Sequence, residues 1–280
     1  MSFPTTVYLS EEQIQSTSST QKMPLGTRGC ATDGRIFRYA QAGATALKAY
    51  RLCISAAEGP ASTATDQVLY SAYAVGSTMA QIYLSTIALP VLSANYFKDG
   101  YLMIESTDTE IHQICPIDSS EALNSATAAA GTAGAGNTVW LKPPGFKKAG
   151  VTSSGLVKLV ANPYKLVVVS TDANGPGFPV GIPPVTVTAN YYFWIQTWGP
   201  TLALAGEGIS ASIDKGQGKS LFWSTGSTGG VAGGVTASAS GYVPADTDSG
   251  FAREMGKVGT LITAAPAASF FHMINLTIAP

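Results

Sequence analysis

The sequence predicts a mainly β fold, an extended N-terminal arm followed by one or two β-sandwich or barrel lobes with few short helices. Three observations carry that expectation. Apolar residues alternate with a period of two in several short runs, the spacing of a strand with two different faces. Gly- and Pro-rich turns separate those runs. Helical candidates are scarce, with residues 119–130 (SSEALNSATAAA) the best and residues 42–52 the next.

Residues 1–45 read as the arm. Ser10-Glu11-Glu12-Gln13 is a capping-box pattern that starts one short helical turn. A Ser/Thr run follows at 16–20, then turn signals at 24–29 (PLGTRG) and at Asp33-Gly34. The stretch RIFRYA at 35–40 alternates as a short strand. Residues 46–184 are expected to form a β lobe. Within it, 81–89 reads as a strand covered on both faces, and 156–161 and 165–170 read as strands separated by the turn pair Asn162-Pro163. Residues 185–280 are expected to form a second lobe. The strongest strand signal is 185–198, with Val185, Val187, Ala189, Tyr191, Phe193 and Ile195 on one face and Tyr192, Trp194 and Gln196 on the other. The last run places His272, Ile274 and Leu276 opposite Phe271, Met273 and Asn275. Between these runs, residues 226–250 form a long Gly-rich loop of the kind that is usually functional or mobile.

Composition narrows the function. Ala, Gly, Thr and Ser supply 125 of the 280 residues, charged residues only 12%, and the net charge is -1. A charge balance this even argues against a nucleic-acid partner, whose phosphates need Lys and Arg. Cys30, Cys53 and Cys115 are too few for a disulfide framework and are expected to be reduced thiols. The N-terminus MSFPTT has neither the basic nor the apolar region of a signal peptide. Residues 67–97 carry no charge, but their polar interruptions and Pro90 break any span of about 20 apolar residues, so no membrane partner is expected. Uncharged runs of this length imply either a large interior or a surface largely covered by partners, because a solvated surface is usually about 25–35% Lys, Arg, Glu and Asp. The charge that exists is blocked: residues 22–53 sum to +5 and residues 99–121 to -6. Such blocks steer contact between molecules when they face outward.

Chemistry is sparse. The two histidines, His112 and His272, lie in no metal-ligand spacing. His272 shares a strand face with apolar residues and is expected to be a satisfied, partly buried side chain. GQGKS at 216–220 resembles the end of a phosphate loop, but Ile213 stands where the first glycine belongs and a strand-like run follows. The Asp246/Asp248/Gly250 turn lacks the ligands of a calcium loop. No catalytic, metal or cofactor site is expected. An acidic pair among Glu105, Asp108 and Glu110 is the one enzymatic arrangement worth naming. The aromatic cluster at 191–198 suits a sheet core and an interface, or a carbohydrate platform.

Several stretches resemble small virion proteins of tailed bacteriophages. They are PLGTR at 24–28, DGRIFRYAQAGA at 33–44, NPY at 162–164, YYFWIQTWGP at 191–200 and GKVG at 256–259. The resemblance implies a head protein that decorates or cements the capsid lattice, made in the bacterial host cytoplasm and resident on the capsid surface. It implies the major capsid protein as partner and self-association, with a trimer favoured. On this reading Arg28, Arg35, Phe37, Arg38 and Tyr39 of the arm lie along capsid subunits, and Tyr192, Trp194 and Trp198 contribute to contacts. The alternative is a tail, baseplate or head-fibre component in which the 191–198 aromatics face host glycan.

Overall fold

The computed structural model describes residues 6–55, 67–69, 72–83, 92–106, 112–123, 137–149, 155–170, 178–204, 220–223, 235–237, 257–262 and 271–279. The chain is mainly β and divides into two units. Unit 1 is built from Met1–Ala57 and Pro163–Pro280; unit 2, Glu58–Asn162, is inserted between them. The expected boundaries near 45 and 184 are therefore replaced. The cut falls instead where the chain leaves one core and later returns to it.

Unit 1 opens with strand β1 (Thr6–Leu9), helix α1 (Glu11–Ile14) and strands β2 (Arg28–Ala31), β3 (Ile36–Gln41) and β4 (Cys53–Ile54). Unit 2 holds β5 (Gln67–Leu69), β6 (Met79–Tyr83), β7 (Tyr101–Ser106), β8 (Gln113–Ser120), β9 (Asn137–Leu141) and β10 (Gly155–Val160). The returning chain adds β11 (Val168–Val169), β12 (Pro179–Gly181), β13 (Tyr192–Leu204), β14 (Ser220–Trp223), β15 (Val235–Ala237), β16 (Lys257–Leu261) and β17 (Phe271–Thr277). In unit 1 the large sheet runs β1-β2-β3-β13-β17-β16-β14-β15, and a small sheet runs β11-β4-β12. Unit 2 closes into a barrel, β10-β5-β6-β9-β8-β7.

The N-terminal segment is not an arm. β1 pairs in parallel with β2, β2 pairs with β3, and β3 pairs with the long β13. The cause is apolar content. Leu9, Ile14, Leu25, Ala31, Phe37, Tyr39 and Trp194 form a core cluster of their own, and leaving that area in water would forfeit about 1.5–3 kcal/mol for each large side chain. The expected helical turn is present. Ser10 Oγ accepts from the Gln13 N–H at 3.3 Å, and Gln13 Oε1 accepts from the Ser10 N–H at 3.0 Å.

The face assignment of β13 holds. Phe193 and Ile195 enter a cluster with Ala40, Leu47 and Val187, while Trp194 enters the cluster on the opposite side of the strand. The strand begins at Tyr192 instead of 185, because Asn190 turns the chain at φ 63°, a conformation Asn tolerates. It continues to Leu204 through a bulge between Gln196 and Trp198.

Residues 42–52 are not helical. Their backbone N–H groups donate across the unit: Ala42 to Tyr191 O at 2.8 Å, Leu47 to Val187 O at 2.9 Å and Tyr50 to Pro183 O at 2.8 Å. These bonds disclose an internal repeat. Adding 140 to each number maps 41–50 onto 181–190. The pair Leu47–Val187 exchanges both of its bonds, and Asn190 N–H donates to Gly43 O as Tyr50 N–H does to Pro183 O. Tyr50 and Asn190, at φ 60° and 63°, occupy equivalent turn positions. Two copies of one loop thus interlock about a local two-fold. Gly181 begins the second copy at φ 150°, where a Cβ would lie 2.4 Å from Gln196 O, so this position requires glycine.

Of the other expected helix, residues 119 and 120 end strand β8, Leu123 bridges Leu92, and 124–130 lie outside the described residues. Of the expected 81–89 strand, 81–83 lie in β6 and 84–89 lie outside the described residues; the strand is covered on one face, with Ala80 and Ile82 buried and Met79 exposed. Of the 226–250 loop, only β15 is described. The three cysteines are free thiols.

Candidate interaction faces

The eight residues expected to meet partners separate into two groups. Phe37, Tyr39 and Trp194 are corrected to core positions. Phe37 has no exposed surface, and Tyr39 and Trp194 are buried around it, with their rings edge to face at 5.2 Å. Burial raises the Tyr39 phenol above its ordinary pKa, although the Lys22 N–H donates to its oxygen at 3.1 Å. The other five retain exposed surface. Tyr192 is half-buried and stacks on Tyr39 at 6.0 Å. Arg28 and Arg38 face each other in register on β2 and β3. Arg38 Nη1 donates to Gly26 O at 3.3 Å.

Arg35 is engaged within its own fold. Its guanidinium pairs with Glu11 and, at 2.5 Å, with Asp33, and it lies 5.6 Å from the Phe37 ring centre. Slight burial works against ionisation of Asp33, but hydrogen bonds and charge from Arg35 outweigh it and hold that carboxyl below its usual pKa. The basic stretch is therefore partly neutralised by the turn it belongs to.

Trp198 leads to a surface that sequence reasoning missed. On β13 and β17 the directly paired residues are Trp198 with Thr277, Pro200 with Asn275, Leu202 with Met273 and Leu204 with Phe271. Paired residues share a side of the sheet. The reverse side is core: Ala203, Ile274 and Leu276 are buried together, with His272 beside them on β17. On the outward side Leu202 is 41% exposed, Phe271 52%, Met273 39% and Ile262 36%. Ile262 lies next to Met273, to whose carbonyl its N–H donates at 2.9 Å. Four large apolar side chains are thus adjacent on three neighbouring strand paths. The residues paired across this part of the face, Pro200, Leu202, Leu204, Thr260, Phe271, Met273 and Asn275, carry no charge, nor does Ile262. Adjacent exposed apolar side chains make this a candidate contact face. The signal in the sequence was the opposition of Phe271 and Met273 to His272 and Ile274. What it lacked was any sign of which side faces water, since both sides are apolar.

The remaining chemical motifs give no constellation. His112 is exposed, and His272 is buried with Nε2 unpartnered among the described residues, not satisfied as expected. Burial pushes the Cys53 and Cys115 thiols up, away from thiolate. Ser220 opens strand β14, so the run after the phosphate-loop look-alike is a strand, as its residues suggested. Residues 107–111, 205–219 and 238–256, including Asp108, Glu110 and the Asp246 turn, lie outside the described residues, as does the Glu105 side chain. The carbohydrate platform loses its middle, because Phe193 and Trp194 are buried on opposite faces of β13. No protein-family model, curated protein or solved structure matches the chain.

Proposed function

We propose that the protein is a non-enzymatic structural component of a tailed-bacteriophage head. In this reading it binds the outside of the capsid lattice, contacts the major capsid protein and further copies of itself, and stabilises the shell as a cement or decoration protein. The observation that carries the reading is the uncharged apolar face of Leu202, Ile262, Phe271 and Met273. The resemblance of the 33–44 and 191–200 stretches to phage virion proteins supplies the kind of partner. Interface cores are depleted of charge, so a face of this composition fits a protein neighbour better than it fits water. The work done is thermodynamic. A ligand that binds only the assembled shell stabilises it by about 2.7 kcal/mol per site at a hundredfold excess over Kd, and a lattice repeats that site many times.

The test is co-sedimentation of purified protein with expanded, undecorated phage heads. The double variant Leu202→Glu/Met273→Glu places two carboxylates on the face without touching the core. Because the two positions are directly paired, the opposed carboxylates cost about 0.2–1 kcal/mol, so the variant should stay cooperatively folded with a slightly lowered midpoint and lose head binding at least tenfold. Equal binding by the variant, or no binding by the native chain to any head tested, overturns the reading.

A further inference from the structure

The barrel of unit 2 carries a mixed aromatic and polar hollow that the proposed function does not use. On its outer side Met79 of β6, Trp140 of β9 and Ser119 of β8 stand side by side in register. The adjoining row, Ala80, Val139 and Ser120, is buried on the inner side. Register therefore holds the indole at the surface, because a slip of one residue would turn Trp140 inward and Val139 out. Trp140 is 37% exposed and Met79 49%.

Strand β8 breaks its ladder beside that indole. Ile117 opposes Leu141 and Ser119 opposes Trp140, so Asp118 is an extra residue. A bulge of this kind leaves its extra residue out of the ladder and re-aims side chains. Asp118 is exposed. The opposite wall is Thr78 with Pro143, and backbone bonds fix it. The Leu141 N–H donates to Thr78 O at 2.7 Å, and the Phe146 N–H donates to Ser77 O at 3.0 Å. Gly145, at φ 73°, permits this approach, since a Cβ there would collide with Ser77 O. The far end of the wall is pinned by Gln113, whose buried amide oxygen accepts from the Lys147 N–H at 2.9 Å and the Lys148 N–H at 3.3 Å.

The result is a hollow of about 390 Å³ lined by Trp140, Asp118, Ser119, Thr78 and Pro143. That volume is at the low end of the usual range for small-molecule sites, about 300–1,000 Å³. Among the described residues no ion pair or hydrogen bond engages the Asp118 carboxylate, and no Lys or Arg lines the hollow. Lys142, the residue after β9, is paired with Asp99 at 2.7 Å.

This lining sets the chemistry of an occupant. A purely aliphatic ligand would cover the indole but take water from Asp118, Ser119 and Thr78 without replacing their hydrogen bonds. A divalent cation needs about six or more oxygen ligands and meets one carboxylate. A pyranose ring satisfies every group: its C–H face lies on the indole, and the hydroxyls at its edge donate to the carboxylate and exchange hydrogen bonds with the Ser119 and Thr78 hydroxyls. We infer that this hollow binds a neutral hexopyranose residue of a glycan, stacked on Trp140 and oriented by Asp118. The inference stands apart from the shell-binding reading, which concerns a face of unit 1.

The experiment is saturation-transfer NMR and titration calorimetry of the full chain with neutral hexasaccharides of glucose, mannose, galactose and N-acetylglucosamine. At least one should bind with a Kd of about 1 mM or tighter, with transfer strongest to ring C–H protons. Trp140→Ala should weaken binding about tenfold or more, and Asp118→Ala should do the same through loss of a charge-assisted hydrogen bond. Trp140→Phe, which keeps an aromatic platform, should stay within a few-fold of the native chain. A readout that needs no variant is oxidation by N-bromosuccinimide with peptide mass mapping, in which the saccharide should protect Trp140. No binding by any of the four saccharides, or an unchanged Kd in Trp140→Ala, overturns the proposal. Loss of binding in Trp198→Ala alone overturns it in favour of a glycan contact on unit 1. The Leu202→Glu/Met273→Glu variant should bind the saccharide as the native chain does, so the two readings fail separately.

Discussion

Phe37→Ala decides whether the N-terminal segment is a partner-seeking arm or part of the sheet. Phe37 is wholly buried in a cluster with Leu9, Ile14, Leu25, Tyr39 and Trp194. Truncating a buried Phe to Ala costs about 3–5 kcal/mol, the removed transfer energy plus the cavity left behind. The Arg35 guanidinium over the ring adds only about 0.5–1 kcal/mol, because it is partly solvated. Against a total stability of about 5–15 kcal/mol, the loss is about a fifth or more. With a urea slope of about 2 kcal/mol/M, the midpoint of unit 1 should fall by about 2 M. Trp194, buried in the same cluster, reports the event in a background where Trp140, Trp198 and Trp223 are replaced by Phe. Unit 2 should unfold at its unchanged midpoint, since its core cluster shares no residue with those of unit 1. A midpoint shift below about 0.25 M, with Trp194 emission already that of a solvated indole in the native chain, would refute the sheet assignment and restore the arm.

Two further outcomes follow from buried polar groups. Asp99, buried and paired with Lys142 at 2.7 Å, makes a charge-assisted bond worth about 1.5–3 kcal/mol, so Asp99→Ala should lower the thermal midpoint of unit 2 and leave that of unit 1 in place. Cys53 and Cys115 have thiols whose pKa burial pushes up, so iodoacetamide at pH 8 should label the partly exposed Cys30 and spare both until the chain unfolds, as peptide mass mapping would register. The sign of the linked stability follows: the native state holds these thiols neutral, so their contribution is complete below the unfolded thiol pKa of about 8.5 and declines as pH rises above it.

Much of the β character was legible because period-two alternation is a local property. The two faces of β13 and the opposition within β17 could be read from residue order alone, and so could the Ser10–Gln13 capping box. What the sequence hid were facts of pairing. Phe37 and Tyr39 look like exposed anchors in a short alternating run, and only the parallel strand β1 and the helix residue Ile14 close over them. The repeat of 41–50 at 181–190 is invisible as sequence, with Ala49 and Ala189 the sole identity. It is carried by backbone bonds and two positive-φ turns, which many residue combinations satisfy. The path of the chain at Lys147 and Lys148 was illegible for a similar reason. Its position depends on Gln113, about 35 residues away, and no local pattern marks a glutamine as a clamp.

The way unit 2 enters unit 1 yields the last prediction. β4 and β11 are antiparallel, with Ile54 opposite Val168 and Cys53 opposite Val169. The chain therefore leaves unit 1 at the end of one strand and re-enters beside it, so topologically the whole of Glu58–Asn162 occupies a hairpin loop. Adjacent strands are about 5 Å apart, and a link of a few residues spans that distance. Each hydrophobic cluster belongs wholly to one unit, which leaves unit 1 with its own three. Domains inserted at such tips are tolerated because few core contacts depend on them. Replacing residues 58–162 by Gly-Ser-Gly should give a protein that unfolds cooperatively near the unit 1 midpoint of the native chain, with Trp194 still buried. It should also retain head binding through Leu202, Phe271 and Met273. A molten or insoluble product would show that unit 1 draws stability from its insertion. Loss of head binding by a well-folded product would move the lattice contact onto the barrel.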